Sequence, residues 1–369
     1  MKTLYLHIGT PKTGTTALQK FLWLNREVLL QHGLLFPDFG FRYRGVSRCR
    51  NGHFLVTTSY QDENGCRILE KEQEDYRNGL DQLKEAGKTC DRILLTDESI
   101  YNASRRSRTD FYETLKADLE EMHMELKVIV YLRRQDLFTQ SHWAQKVKVG
   151  SCQNFHEYLD SSFMENYPLD YYEYISHLSS CLGRESLIIR PFESGQFRGE
   201  KQIIQSDFLS VFGLKLSDGF TLGQRSCNTR LDDDQLEIQQ VINRFPSMKR
   251  TFKNPKINNV LWDPYFRPAE QKQFMEKYCA SNEALAREFL DRDDGQLFYD
   301  TIRRPSGYRT GEADLSRDIA RVYGRAITEL DRENRKLRKE LDDITVFLDR
   351  VRRHPLYRFV KKCSVYKKN

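Results

Sequence analysis

The sequence predicts a three-layer α/β fold with a central, mostly parallel sheet. Three observations predict it: short, nearly continuous apolar runs of strand length, helical stretches that alternate with them, and a glycine-bracketed loop between the first run and the first helix.

The apolar runs are Leu4–Ile8, Arg92–Thr96, Lys127–Leu132 and Ser186–Arg190. Strands buried on both faces of a parallel sheet read this way, because neither face needs polar side chains. Between and after them, helices are expected over Thr15–His32, Glu70–Ala86, Asp110–Met124, Leu137–Val149, Phe155–Phe163 and Tyr171–Leu182. Further helices are expected over about 200–213, 231–245 and 268–291, with Pro246, Pro255, Pro264 and Pro268 punctuating the loops. This organisation places one α/β domain at 1–302. A linker carrying Pro305, Gly307 and Gly311 follows at 303–318, then a heptad helix at 319–351 and a basic amphipathic tail at 352–369.

Composition narrows the function classes. With 369 residues and 39% hydrophobic content, the chain has enough residues for one large core and is too polar for a membrane bundle. Residues 352–369 hold seven Lys or Arg and no acid, so removing them from the net charge of +6 leaves the rest at −1. The basicity is a tail, and no nucleic-acid partner is expected. The eight cysteines contain no C-x-x-C pair, which argues against a zinc knuckle and fits reduced thiols. No apolar run approaches the roughly 20 residues that span a bilayer, and Leu4–Ile8 is too short for a signal-peptide core. A cytoplasmic protein is expected.

The loop His7-Ile8-Gly9-Thr10-Pro11-Lys12-Thr13-Gly14-Thr15-Thr16 has two glycines flanking four residues, after a strand and before a helix. Glycines let the backbone wrap so that amides and the helix N-terminus point at one anion. It departs from G-x-x-x-x-G-K-[ST], because Thr15 stands where the lysine should be and Lys12 sits inside the loop. There the cation would meet the terminal phosphate and its transferable group. No acid follows a strand in an evident magnesium-holding role apart from the Asp97–Glu98 pair, which keeps that alternative open.

A second constellation begins at Arg133, which ends the most hydrophobic strand, with Ser141 eight residues on in the following helix. A guanidinium at a strand's carboxyl edge and a hydroxyl on the next helix can converge on one phosphate. Gln145 and Lys148 lie one and two turns further along.

Together the two features resemble the sulfotransferases that use 3'-phosphoadenosine 5'-phosphosulfate (PAPS), bacterial carbohydrate sulfotransferases in particular. The family's 5'-phosphosulfate loop, P-K-[ST]-G-[ST]-T, is matched by Pro11 to Thr16, and its 3'-phosphate pair by Arg133 and Ser141. The resemblance runs to about residue 295, including Arg190-Pro191-Phe192-Glu193 and Ser281-Asn282-Glu283. It implies the P-loop sulfotransferase form of the α/β fold, transfer of a sulfuryl group from PAPS to a hydroxyl or, as the lesser alternative, an amine of a carbohydrate, PAP as product, and no metal. It further implies that Lys12, Thr13, Gly14, Thr15 and Thr16 hold the 5'-phosphosulfate and that Arg133 and Ser141 hold the 3'-phosphate. Glu98, Asp97 and His7 are the candidates for the base. Arg134 departs from the pattern, standing where many members have Asn-Pro after the strand. A later nucleotide-contacting loop is poorly marked, with Arg225 and Asn228 as its counterparts. The alternatives are a P-loop kinase using ATP and magnesium, and a non-catalytic nucleotide-binding scaffold.

Beyond residue 320, Ile327, Leu330, Asn334, Leu337, Leu341, Ile344, Leu348 and Val351 alternate spacings of three and four. Such a seam fits either a parallel coiled-coil homodimer through 320–351, with Asn334 setting register, or an amphipathic helix packed on its own domain. The basic end can lie on an anionic membrane surface, each cation adding on the order of 1 kcal/mol, or stay solvated.

Overall fold

A computed structural model describes residues 2–105, 111–151, 153–165, 167–223, 266, 268–300 and 312–353, together with Gln239, Asn243 and Pro355. Arg225, Asn228, most of the expected helix at 231–245, most of the linker and residues 356–369 lie outside the described residues. The chain divides into two compact units, one comprising Met1–Gln145, Asn154–Thr229 and Pro264–Arg304, the other Lys146–Gln153, Arg230–Asp263 and Pro305–Asn369.

The first unit is built on four parallel strands, β1 (Lys2–His7), β2 (Arg92–Thr96), β3 (Met124–Leu132) and β4 (Leu187–Pro191), in spatial order β2-β1-β3-β4. The chain leaves β1 for a neighbour on one side and returns to pair β3 on the other. This reversal makes the gap between the carboxyl ends of β1 and β3 the switch point of the sheet, where open α/β sheets gather their ligands. Register sets the edge: His7 lies beside Thr96 of β2 and beside Ile129 of β3, while Leu132 lies beside Pro191. The apolar runs are buried as expected of central strands, with Leu4, Leu6, Leu94, Leu95, Val128 and Val130 fully enclosed.

Helices cover both faces. Ile129 and Tyr131 pack with α1 (Thr15–Leu24), α2 (Arg26–Gln31) and, later in the chain, the helix Ile204–Ser210 through Leu18, Phe21, Leu22, Leu29 and Phe208. Strand alternation sends Val128 and Val130 to the opposite face, which α4 (Phe111–Glu121) covers; α3 (Leu69–Ala86) belongs to the crossover from β1 to β2. The remaining helices are α5 (Gln135–Lys148), α6 (Phe155–Leu159), α7 (Ser162–Glu165), α8 (Tyr171–Leu182), α9 (Ile204–Ser210), α10 (Pro268–Glu276), α11 (Cys279–Leu290) and α12 (Glu312–Arg353).

Several expected helices are shorter or divided, each for a local reason. Thr15–His32 breaks at Asn25, whose side-chain amide donates to the carbonyls of Phe21 and Thr221 and whose Oδ1 accepts from the Thr221 amide. The residue serves a tertiary clasp instead of the helix interior. The helix expected to reach Met124 stops at Glu121, because His123 turns left-handed at φ 55° and Met124 starts β3. Phe155–Phe163 becomes two short helices, the first opened by a capping box between Asn154 and Glu157. The stretch 268–291 likewise divides into α10 and α11. In the second unit, α12 runs 42 residues, longer than the heptad pattern alone required.

Candidate active site

The loop after β1 is held to the sheet by its first half and leaves its second half to the crevice. The amides of Ile8 and Thr10 donate to the carbonyls of Ile129 and Tyr131, continuing the β1–β3 ladder past the last strand residue. The Thr10 hydroxyl also donates to the Tyr131 carbonyl at 2.6 Å, and the Thr13 hydroxyl closes the loop on the Thr10 carbonyl at 2.6 Å. Gly9 within this anchor, and Lys12 and Gly14 beyond it, all take positive φ, at 40°, 74° and 73°. Alternating hand of this kind turns successive amides inward to form an anion nest. Lys12 is the exceptional member, since a side chain rarely accepts this conformation without a surrounding structure that enforces it.

Helix α1 begins at Thr15 with Gly14 as its cap; among the described residues no side chain caps its first amides, and its first turn holds no acid. The positive end of the helix is therefore presented at the nest. Thr15 is buried against Gly9, where an added Cβ would meet the Thr15 methyl at 2.7 Å, and Thr16 is exposed at the first turn.

Arg133 reaches this loop from the end of β3. Its guanidinium donates to the Lys12 carbonyl at 2.5 Å and sits 5.8 Å from the ring of Phe192, which also approaches Gly14. From α5, Gln145 accepts from the Lys12 ammonium at 3.2 Å. The structure thus joins Lys12, Arg133 and Gln145, residues far apart in sequence, at the β1–β3 switch point. Ser141 lies half-buried on α5, one turn before Gln145, and Lys148 is exposed near the end of the same helix. Arg134, the departure from the expected turn, is buried in a two-pronged ion pair with Asp136 and donates to the Asp300 carbonyl; Gln271 adds a bond to Asp136. It fastens the start of α5.

The second cluster stands at the end of β2. Asn51 mimics a strand neighbour there, donating to the Leu94 carbonyl and accepting from the Thr96 amide. That clasp brings Arg50 and His53 onto Asp97. Arg50 binds both Asp97 oxygens, at 3.0 and 2.7 Å, and the Ser99 hydroxyl at 2.7 Å, while His53 Nδ1 lies 2.8 Å from Asp97. Asp97 is fully buried. Burial alone would raise its carboxyl, but the His53 hydrogen bond and the Arg50 charge outweigh it and hold the group below its ordinary value.

Glu98 differs from its neighbour. Its side chain is 21% exposed, accepts from Gln19 Nε2 at 2.6 Å, and lies 3.5 Å from Arg50 Nε. Gln19 sits on α1, a turn beyond the phosphate-type loop, so one helix both closes the nest and orients this carboxylate.

His7 is buried beneath the loop. Its Nδ1 pairs with the Thr96 hydroxyl at 2.8 Å, its ring packs edge-on against Tyr131 and Phe208, and its Nε2 has no hydrogen-bond partner among the described residues. An added Cβ on Gly9 would come within 3.3 Å of that nitrogen. Burial pushes the imidazole down to about 3, against a weaker opposing pull from Asp97, so it is neutral at physiological pH.

Gln19, Arg50, His53 and Gln145 share no sequence spacing with the loop. Of these, only Gln145 carried a sequence signal, one turn beyond Ser141 on a helix following Arg133.

No family model matches the chain. A curated relative from Archaeoglobus fulgidus, described only as an uncharacterized protein, is 26% identical over 178 residues; the match covers 44% of this chain and spans about half, 46%, of that relative's length. Among solved structures, a sulfotransferase from Alicyclobacillus acidocaldarius aligns over 79% of this chain and 97% of its own, with a TM-score of 0.38 and 12% identity. Among the described residues no helix is long and apolar enough to cross a membrane.

Proposed function

We propose that this protein transfers a sulfuryl group from PAPS to a hydroxyl of a carbohydrate, releasing PAP. The observation that carries the reading is the left-handed Lys12 inside an uncapped anion nest, with Arg133 bonded to its carbonyl at the switch point of the sheet. A nest and helix terminus bind any phosphate. A lysine within the loop and an arginine from the neighbouring strand suit a donor with phosphate on both sides of its ribose.

In this reading the amides of Thr13 to Thr16 and the Lys12 ammonium hold the 5'-phosphosulfate, and Arg133 with Ser141 holds the 3'-phosphate. Gln145 keeps the Lys12 ammonium directed along the crevice. Glu98 takes the proton of the acceptor hydroxyl as that oxygen bonds to sulfur. The bond from sulfur to the bridging oxygen breaks at the same time, and Lys12 stabilises the negative charge left there. Asp97 serves as the anchor that fixes Arg50 and His53 beside Glu98. His7 supports the loop as a neutral ring; its depressed basicity disfavours it as the base.

Calorimetry with PAP, and separately with ATP and magnesium, tests the donor. Binding of PAP in the micromolar range is expected; selective binding of ATP with magnesium would replace this reading with the kinase alternative. Incubation with labelled PAPS and fractionated surface glycans from the source cell then tests the reaction, label on a glycan being expected. If Lys12→Ala and Glu98→Gln both retained biological activity in that cell, a nucleotide-binding scaffold would be the better description. A cell-surface polysaccharide or glycolipid precursor is the preferred acceptor, because the cations of 352–369 suit an anionic bilayer where lipid-linked sugars are built. Loss of membrane association on deleting that segment is expected, and unchanged association would remove the argument for a lipid-linked substrate.

A further inference from the structure

We infer that α12 pairs with α12 of a second copy of this chain as a parallel, in-register coiled coil. Six apolar seam residues, Ile327, Leu330, Leu337, Leu341, Ile344 and Leu348, are between 39% and 65% exposed. They fall at alternating a and d positions of one continuous helix, so they form a stripe of coiled-coil width, not scattered surface residues.

The charges beside the stripe identify its occupant. Within the helix Asp331 pairs with Arg335, Glu340 with Lys336 and Asp349 with Arg352, each pair joining a position that flanks the stripe to one on the outer face. Glu333 and Arg338, at g and the following e position, make no ion pair among the described residues. In a parallel dimer each Glu333 meets the partner's Arg338, and the relation repeats by symmetry. Phe347 at the next-but-one g position meets the partner's Arg352, an aromatic face against a guanidinium. Asn334 meets the partner's Asn334, which satisfies both amides and selects two chains and one register.

The antiparallel arrangement fails on the same residues. Centring two helices head to tail over this stripe sets Asn334 against the partner's Ile344. It also brings Glu340 to the partner's Glu340 and Arg338 to the partner's Arg338. Polar atoms would be buried against hydrocarbon and two like-charge contacts created. Parallel pairing is independent of the reaction proposed for the first unit, and it brings Arg352 and Arg353 of both helices to the same end of the coiled coil.

Sedimentation equilibrium of the full chain at micromolar concentration tests the pairing, with the mass of two chains expected. Leu341→Asp should shift it to one chain. The charge variants guard against mere misfolding: E333R and R338E should each weaken the dimer by roughly fivefold, two exposed pairs being lost, and the double variant should restore it. Asn334→Cys should give a covalent dimer on mild oxidation, with the unsubstituted chain as the control for native thiols. A single-chain or three-chain mass for the unsubstituted protein overturns the proposal. So does indifference to the charge swap, or failure of the Asn334→Cys variant to crosslink, since antiparallel helices would hold the introduced sulfurs about ten residues, roughly 15 Å, apart.

Discussion

Two ends of neighbouring strands make up the site, and they are built in opposite ways. At the β1–β3 crevice, backbone does most of the work: a left-handed loop, a helix terminus, and Arg133 reaching the Lys12 carbonyl. At the end of β2, side chains do it: Arg50, His53, Asp97, Glu98 and Gln19 form one hydrogen-bonded network. A backbone cradle suits an anion whose place never changes. A side-chain network suits a proton that must be taken up, because it can fix one carboxylate while leaving another accessible. Asp97, fully buried and paired, and Glu98, partly exposed beside it, differ in burial in this way although they are adjacent.

The comparison breaks most sharply at Glu98. Glu98→Gln should lower kcat by roughly 10²- to 10⁴-fold while calorimetry shows unchanged affinity for PAP; full turnover in this variant would remove the β2 cluster from the chemistry. Arg133→Ala should do the converse. Loss of a charged hydrogen-bond donor should raise the dissociation constant for PAP by roughly 10- to 100-fold, with the change in kcat smaller than that in KM.

Burial at His7 gives a stability prediction. The imidazole titrates at about 3 in the folded protein and at 6.5 as a free group, so between those values the unfolded chain binds the extra proton. The stability linked to His7 is full above 6.5 and declines as pH falls toward 3. Between pH 7 and 5 the loss should be about 2 kcal/mol. Asp97, whose folded value lies below its ordinary 3.8, adds a loss only at still lower pH. Urea midpoints measured at pH 7 and 5 should therefore converge in His7→Gln relative to the unsubstituted chain. Equal slopes in the two proteins would show that His7 is protonated in the folded state.

The smallest effect expected is at Gln19, which links the two ends. Gln19→Ala should lower kcat by roughly fivefold, the worth of about one neutral hydrogen bond, leaving PAP affinity intact. A matching loss of PAP affinity would mean that α1 itself had shifted.

What could be read in advance follows from how local each feature is. Arg92–Thr96 and Tyr171–Leu182 were legible to the residue, because a fully buried strand and a well-patterned amphipathic helix are set by side chains within a few positions. The loop was legible for the same reason, its glycines and lysine being contiguous. The break at Asn25 was not, since its cause is Thr221, nearly two hundred residues away. Arg134 looked like a departure from a motif, and its purpose, the buried pair with Asp136 and the hold on Asp300, depends on distant segments.

By itself the sequence determined the parallel α/β core, the glycine-bracketed loop between β1 and α1, the placing of Arg133 at a strand's carboxyl edge and the apolar stripe of α12, all consequences of short-range periodicity and backbone chemistry. Tertiary structure alone decided that Gln145 would meet Lys12, that Asp97 would be locked by Arg50 and His53, and that Glu98 would keep access to solvent. Those outcomes depend on strand order, because only after β1 pairs with both β2 and β3 do residues separated by 44 to 133 positions come within hydrogen-bonding distance.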